Sequence, residues 1–322
     1  MDLTELVTTR FNPMIDPQVQ VWEWEIPIYL FLGGFVAGMM IISGFFLWRG
    51  RHQRTECVCF LLPGLGVMLL SIGMLALFMD LEHKPYAWRL YTTFQITSPM
   101  SWGAWILLLV YPALIANLLL RIPDRLGGRF PGLKYLSDRL MSNVATVNTV
   151  GISNMVLGAG LGLYTGILLS SLGARPLWSS PILAVLFIVS GLSGAAAFVH
   201  LIARDSEERL LLAKADNGFL AIELVVLALF ILFLLTATEV HMQAASLLLT
   251  GQYAAVFWVF VVMIGIVIPL FYQSLSVNHK VPHNPLMPIF VMLGGLVLRF
   301  VIVEAGQASH WLSTGLHYVA MP

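Results

Sequence analysis

A chain of 322 residues that is 58% hydrophobic and only 11% charged is not an ordinary soluble domain, because about a quarter of the residues in such domains carry charge. Its 17 basic and 17 acidic residues cancel, so nothing in the charge balance implies a nucleic-acid partner. With a mean hydropathy of +0.85, the sequence reads as a polytopic membrane protein. Apolar runs of about 20 residues cross a hydrocarbon core about 30 Å thick, and without water only helices or closed barrels satisfy their own backbone there.

In chain order, residues 1–25 are polar and acidic (Asp2, Glu5, Asp16, Glu23, Glu25). No apolar stretch precedes the first span, so no cleaved signal is expected. Eight helical spans are predicted at about 26–48, 61–81, 101–121, 147–171, 181–203, 218–237, 254–275 and 286–308. The Ser180-Pro181 start of the fifth suits a helix, since a first-turn residue has no intrahelical use for an N–H. Connector 49–60 holds both cysteines, Cys57 and Cys59. Two ligands are too few for a zinc or iron–sulfur site, and free thiols are expected.

Loop charge gives the orientation. Connectors 49–60, 121–146, 204–217 and 276–285 carry twelve Lys or Arg, against four (Arg10, Lys84, Arg89, Arg175) on the other side. The positive-inside rule then puts both termini in the periplasm of a bacterium and the protein in its inner membrane. Trp22, Trp24, Tyr86, Trp88, Tyr91, Trp102, Trp105 and Trp178 fall at outer span ends, and an aromatic belt at headgroup level accounts for most of them. Connector 82–100 is long and mixed (Glu82, His83, Lys84, Arg89, Gln95), which suits a docking surface better than a minimal turn.

Ionisable residues within spans are costly and mark function or a specific partner. Asp80 closes the second span, Glu223 lies in the sixth, and Arg299 and Glu304 lie in the eighth. Arg299 sits about 20 Å along its helix, near mid-membrane. Glu223, Arg299 and Glu304 outline a hydrated proton route through the second half, bridged by Ser190 and Ser193. The alternative is that each charge finds a local partner and pins the helices. Of eight histidines only His200 falls inside a span, so a haem held between two helices is not expected.

Four segments carry a resemblance: Trp22–Gly38, Asp80–Trp105, Tyr164–Phe198 and Leu293–Gln307. The second contains Ser98-Pro99-Met100-Ser101-Trp102-Gly103-Ala104-Trp105, and the third runs from Tyr164-Thr165-Gly166 through Pro176-Leu177-Trp178 to Ser193. In order and spacing the chain resembles the NrfD/PsrC family, the integral-membrane quinone-reacting subunits of polysulfide-reductase-type and nitrite-reductase-type complexes. The resemblance implies an all-α integral membrane fold of eight transmembrane helices in two four-helix bundles, residues 26–172 and 173–308. A periplasmic segment 1–25 and a periplasmic tail 309–322 would flank them.

It also implies a chain with no haem, iron–sulfur cluster or metal of its own. Menaquinone or ubiquinone would bind near the outer surface as a diffusible substrate. Electrons would pass to or from a ferredoxin-like iron–sulfur subunit on the periplasmic face, itself joined to a molybdopterin enzyme or a multihaem cytochrome. Carried over residue by residue, Asp80 and Tyr164 would be catalytic, and Tyr29, Asp80, Tyr164, Trp102 and His83 would contact the quinone. Hydroxyl groups hold quinone oxygens and a carboxylate relays protons. For Tyr164, plain helix packing is the other reading. A secondary transporter would show interrupted helices near the midplane, whereas the Ser-Pro and Asn-Pro pairs here mark span starts. A structural anchor would need neither Asp80 nor Tyr164.

Overall fold

The computed structural model describes residues 22–51, 57–120, 122, 130–173, 175–203, 205–277 and 284–309. Among them, eight helices are long and apolar enough to cross a membrane: Glu25–Trp48, Val58–Asp80, Pro99–Leu120, Val144–Ser170, Ile182–Ile202, Ser206–Ala237, Ala254–Ser276 and Leu286–Ala308. They are called spans one to eight below. Span two opens with a short 3₁₀ turn at Val58–Phe60, and span seven is wound as a π-helix over Phe257–Val267. Because the count is even, Glu25 and Ala308 lie on one side, termed the terminal side.

Span one is the centre of the molecule, with 78% of its apolar window buried, and span five follows with 72%. Span one packs against spans two, four, five and eight. Spans two and three complete one flank against one and four, and spans six and seven complete the other against five and eight. The central contact is close because span one meets span five at Gly34 and Gly191, where a methyl on Gly191 would strike the Gly34 backbone. With lipid as apolar as leucine, such small-residue contacts hold helices together by packing.

Seven of the eight spans fall within a few residues of their expected positions. Span six does not: it starts at Ser206 instead of 218. Its first three turns are polar, so hydropathy passes over them, yet their helix signals are strong. The Asp205 side chain accepts from the Glu207 N–H at 2.9 Å, and Glu207 and Glu208 occupy the positive end of the helix dipole. Connectors also hold helices that hydropathy misses, Pro131–Met141 and Glu239–Leu249.

The free-thiol expectation is corrected. Cys57 and Cys59 are joined by a disulfide across the 3₁₀ turn, which brings the two side chains together, and both residues are buried. Asp2, Glu5, Arg10, Asp16, His52, Arg54, Arg121, Arg125, Arg129, Arg204, His279, Lys280, His283, His310 and His317 lie outside the described residues.

Candidate functional site

At the terminal side, spans one to four diverge around a cavity of about 290 Å³, near the lower end of the usual range of ~300–1,000 Å³ for small-molecule pockets. Its polar wall is made by Tyr29, Asp80, Tyr91, Tyr164 and Glu82, and its apolar wall includes Ile26, Leu77 and Leu107. Each comes from a different local cause. Tyr29 is one turn into span one, and Asp80 is the last helical residue of span two, after which Leu81 turns extended. Tyr164 reaches the cavity from span four across Gly103 of span three. A methyl on Gly103 would overlap the Tyr164 ring, so only glycine admits the phenol there.

Tyr29 and Tyr164 are 2% and 4% exposed. Among the described residues, neither hydroxyl nor the Asp80 carboxylate has a hydrogen-bond or ion-pair partner in the protein. Buried polar groups are nearly always paired. The hydroxyls of two buried tyrosines and a half-buried carboxylate, all lining one apolar space without a protein partner, are placed to bind a guest that offers oxygen atoms.

Tyr91 belongs to the same group and was not separable from the aromatic belt by sequence. It sits on the four-residue helix Arg89–Thr92 in the connector and lies near both Tyr29 and Tyr164. Burial, then the neighbouring Tyr111, pushes its hydroxyl above the ordinary tyrosine range, so Tyr91 enters the cavity as a neutral donor. No local pattern distinguishes it from the exposed Tyr86 or Trp88; only the fold turns it inward.

The mouth is closed on one side by a clasp. The Trp22 N–H donates to Gln307 Oε1 at 2.9 Å, and Gln307 Nε2 donates to the Trp22 carbonyl at 2.8 Å. The Trp22 ring stacks on Trp178 at 5.2 Å, and the Trp178 indole N–H donates to the Ile302 carbonyl at 2.8 Å. Trp178 is thus a buried joint between the 175–180 turn and span eight, and not part of a belt.

Two expected quinone contacts are not brought to the cavity. Trp102 points away, its indole N–H donating to the Ile96 carbonyl at 2.8 Å, and His83 is exposed on the connector; neither lines the cavity. The three residues of the expected proton route also part company. Arg299 and Glu223 meet around Ser190 in a seam between spans five, six and eight, whereas Glu304 lies by Tyr253 near the terminal side. Asp216, which hydropathy leaves in a connector, is buried in span six one step further along that seam. Among the described residues, no group of three or more His, Cys, Asp or Glu is placed to hold a metal ion.

Fold and site define a class: a multi-pass helical membrane protein with an apolar cavity on one side, walled by tyrosines and a carboxylate. The chain belongs to the NrfD/polysulphide reductase family, whose model (Polysulphide reductase, NrfD) matches residues 12–309. It is 28% identical to a component of the polysulfide reductase of Wolinella succinogenes, over 89% of this chain and 94% of that protein. It is 30% identical to a protein NrfD homolog of Haemophilus influenzae, over 89% and 94%. It is also 26% identical to a tetrathionate reductase subunit of Salmonella typhimurium, over 89% and 78%. The protein is accordingly a multi-pass protein of the bacterial inner membrane.

Proposed function

We propose that this chain is the membrane subunit of a respiratory oxidoreductase complex and exchanges electrons between membrane quinone and an iron–sulfur partner on its terminal face. The observation that carries the reading is the cavity: Tyr29, Tyr164 and Asp80 surround an apolar space of about 290 Å³ without protein partners. That arrangement suits a flat ring with two opposed oxygens whose isoprenoid tail stays among the helices. The names of the relatives, parts of polysulfide and tetrathionate reductases, support a redox complex.

The residues supply binding and proton handling. Tyr29, Tyr91 and Tyr164 donate hydrogen bonds to the quinone oxygens. Oxidation of a quinol releases two electrons to the partner and two protons to the cavity; reduction reverses both. Asp80 is partly exposed beside the solvent-facing Glu82, so its carboxylate takes protons from the tyrosine-held oxygens and passes them to water. Such a positioned proton-transfer group contributes roughly 10²–10⁴-fold.

Docking of the partner over connector 82–100 and the 172–180 turn is supported by the surface of the connector. Tyr86, Trp88, Phe94 and Ile96 are exposed there, and the Arg89 guanidinium lies 4.6 Å from the Tyr86 ring and 5.7 Å from that of Trp88. Aromatic and arginine clusters are favoured anchors of interfaces. In this reading the terminal face is periplasmic, as the loop charges imply, and the partner bridges to a periplasmic catalytic subunit. Residues 26–172 form the quinone half and 173–308 the second half.

The test is turnover of the intact complex with a soluble quinone analogue. Asp80→Asn and Tyr164→Phe are each expected to assemble and to lose tenfold or more, about 1.4 kcal/mol or more of barrier. Wild-type turnover in both variants would overturn the site.

A further inference from the structure

On the side opposite the termini, span five ends and spans six and eight begin around a second cavity that the quinone reading does not use. It holds about 220 Å³ and is lined by His200, Leu201, Arg209, Asn284 and Pro285. That is below the ~300–1,000 Å³ of pockets that take up a whole small molecule, and it suits the polar end of a larger one. Span five has 21 residues, about 31 Å at 1.5 Å per residue, which matches the hydrocarbon thickness. His200 stands just before the end of that span, at Ile202, and so lies where lipid headgroups begin.

The polar side of the cavity is held in place by the backbone around it. Nη2 of the Arg209 guanidinium donates to the Ala203 carbonyl at 2.8 Å. His200 Nδ1 lies 3.0 Å from the Arg209 carbonyl; a carbonyl only accepts, so this nitrogen carries a proton. Asn284 Oδ1 accepts from the Leu286 N–H at 3.0 Å, which leaves its amide N–H groups as the donors it can offer a guest. Side chains from three separate parts of the chain thus bring a guanidinium, an imidazole and an amide to one space.

Charge gives the sign of the guest. Of the residues that line this cavity, none is acidic. The acids just before and after the start of span six are engaged with the connector between spans one and two. Asp205 and Glu207 lie 3.8 and 3.3 Å from the Arg51 guanidinium, and Glu208 accepts from the Val58 N–H at 3.2 Å. From the cavity mouth at Pro285 an apolar stripe runs into the bilayer. Leu286, Ile289 and Leu293 are exposed there, and their spacing of three and four residues puts them on one face of span eight.

We propose that this cavity binds an anionic glycerophospholipid, with its phosphodiester on Arg209, His200 and Asn284 and its acyl chains along Leu286, Ile289 and Leu293. Guanidinium–phosphate pairs are charge-assisted and can be bidentate, and basic pockets between spans suit such headgroups. A zwitterionic lipid would bring an ammonium group for which the lining offers no carboxylate, so the headgroup is a net anion such as phosphatidylglycerol. The bound lipid bridges the end of span five and the start of span eight. The site lies at the opposite end of the spans from the quinone cavity and does not depend on that reading.

The test is photolabelling of the full chain, purified with its native partners and depleted of lipid, by phosphatidylglycerol carrying a photoreactive group in an acyl chain. Label is expected on residues 286–293. Excess unlabelled phosphatidylglycerol should cut it at least about fivefold, and phosphatidylethanolamine by less than about twofold. Arg209→Gln should lower labelling by about fivefold, the worth of one cation facing an anionic lipid, and Arg209→Lys should keep more than about half of it. Equal protection by phosphatidylethanolamine, unchanged label in Arg209→Gln, or label spread evenly over the eight spans would overturn the proposal. Protection by inorganic phosphate alone would assign the cavity to a free anion and overturn the lipid reading. The competitions on the wild-type chain decide the matter even if Arg209→Gln fails to assemble.

Discussion

The terminal-side cavity and the polar seam of spans five to eight are built from similar residues and solve opposite problems. In the cavity, Tyr29, Tyr164 and Asp80 surround a space of about 290 Å³ and leave one another unpaired. In the seam, Arg299, Ser190 and Ser193 are hydrogen-bonded within the protein, and the adjoining space at Gln273 is only about 10 Å³. A roomy apolar void walled by hydroxyls and a carboxylate can admit a guest, whereas a seam with almost no free volume holds its polar groups against one another across the helices. The difference separates a ligand site from a packed polar network where residue types alone do not.

The largest effect that would break this comparison comes from filling the space that Gly103 leaves for Tyr164. Gly103→Ala puts a methyl into the phenol ring; a packed interior relieves such overlap only by moving side chains, at about 1–3 kcal/mol. Quinone-linked turnover is expected to fall about tenfold, as when a positioned proton-transfer group is lost, while the complex still assembles. Loss of assembly as well would mean that Gly103 serves the packing of spans three and four and not the cavity.

A smaller effect sharpens the boundary between them. His241 joins the helix Glu239–Leu249 to the 175–180 turn, its Nδ1 2.7 Å from the Thr238 hydroxyl and its Nε2 2.8 Å from that of Ser179. Burial holds the imidazole below its ordinary range, so the fold favours the neutral ring. The stabilisation is complete above the ordinary histidine value of about 6.5 and is lost as pH falls through it towards the lower folded value. Thermal unfolding should show the gap between wild type and His241→Gln narrowing by about 2 °C from pH 8 to pH 5.5. A gap that widens at low pH would mean the ring is charged in the fold.

Much of this was legible in the sequence, for identifiable reasons. Seven spans and the meeting of Tyr29, Asp80 and Tyr164 follow from hydropathy, depth counting and the matched segments, because depth along a straight helix survives folding. The bridging role of Ser190 was visible in the same way. Tyr91 was not, since a connector residue has no periodicity to say which way it faces. Asp216 was hidden because span six continues three turns past its apolar core, and a lysine and an asparagine beside the acid read as a loop. Trp102 and His83 adjoin cavity residues in sequence, but a helix turns the side chain next to Gly103 about 100° away, and His83 lies in the turn beyond the end of span two, exposed.

The most direct test of the central claim is where a photoreactive quinone analogue attaches in the intact complex. Irradiation should label peptides carrying Tyr29, the Leu77–Asp80 stretch or Tyr164, and excess unlabelled quinone should prevent it. Label confined to spans six to eight, or undiminished by competing quinone, would contradict the account.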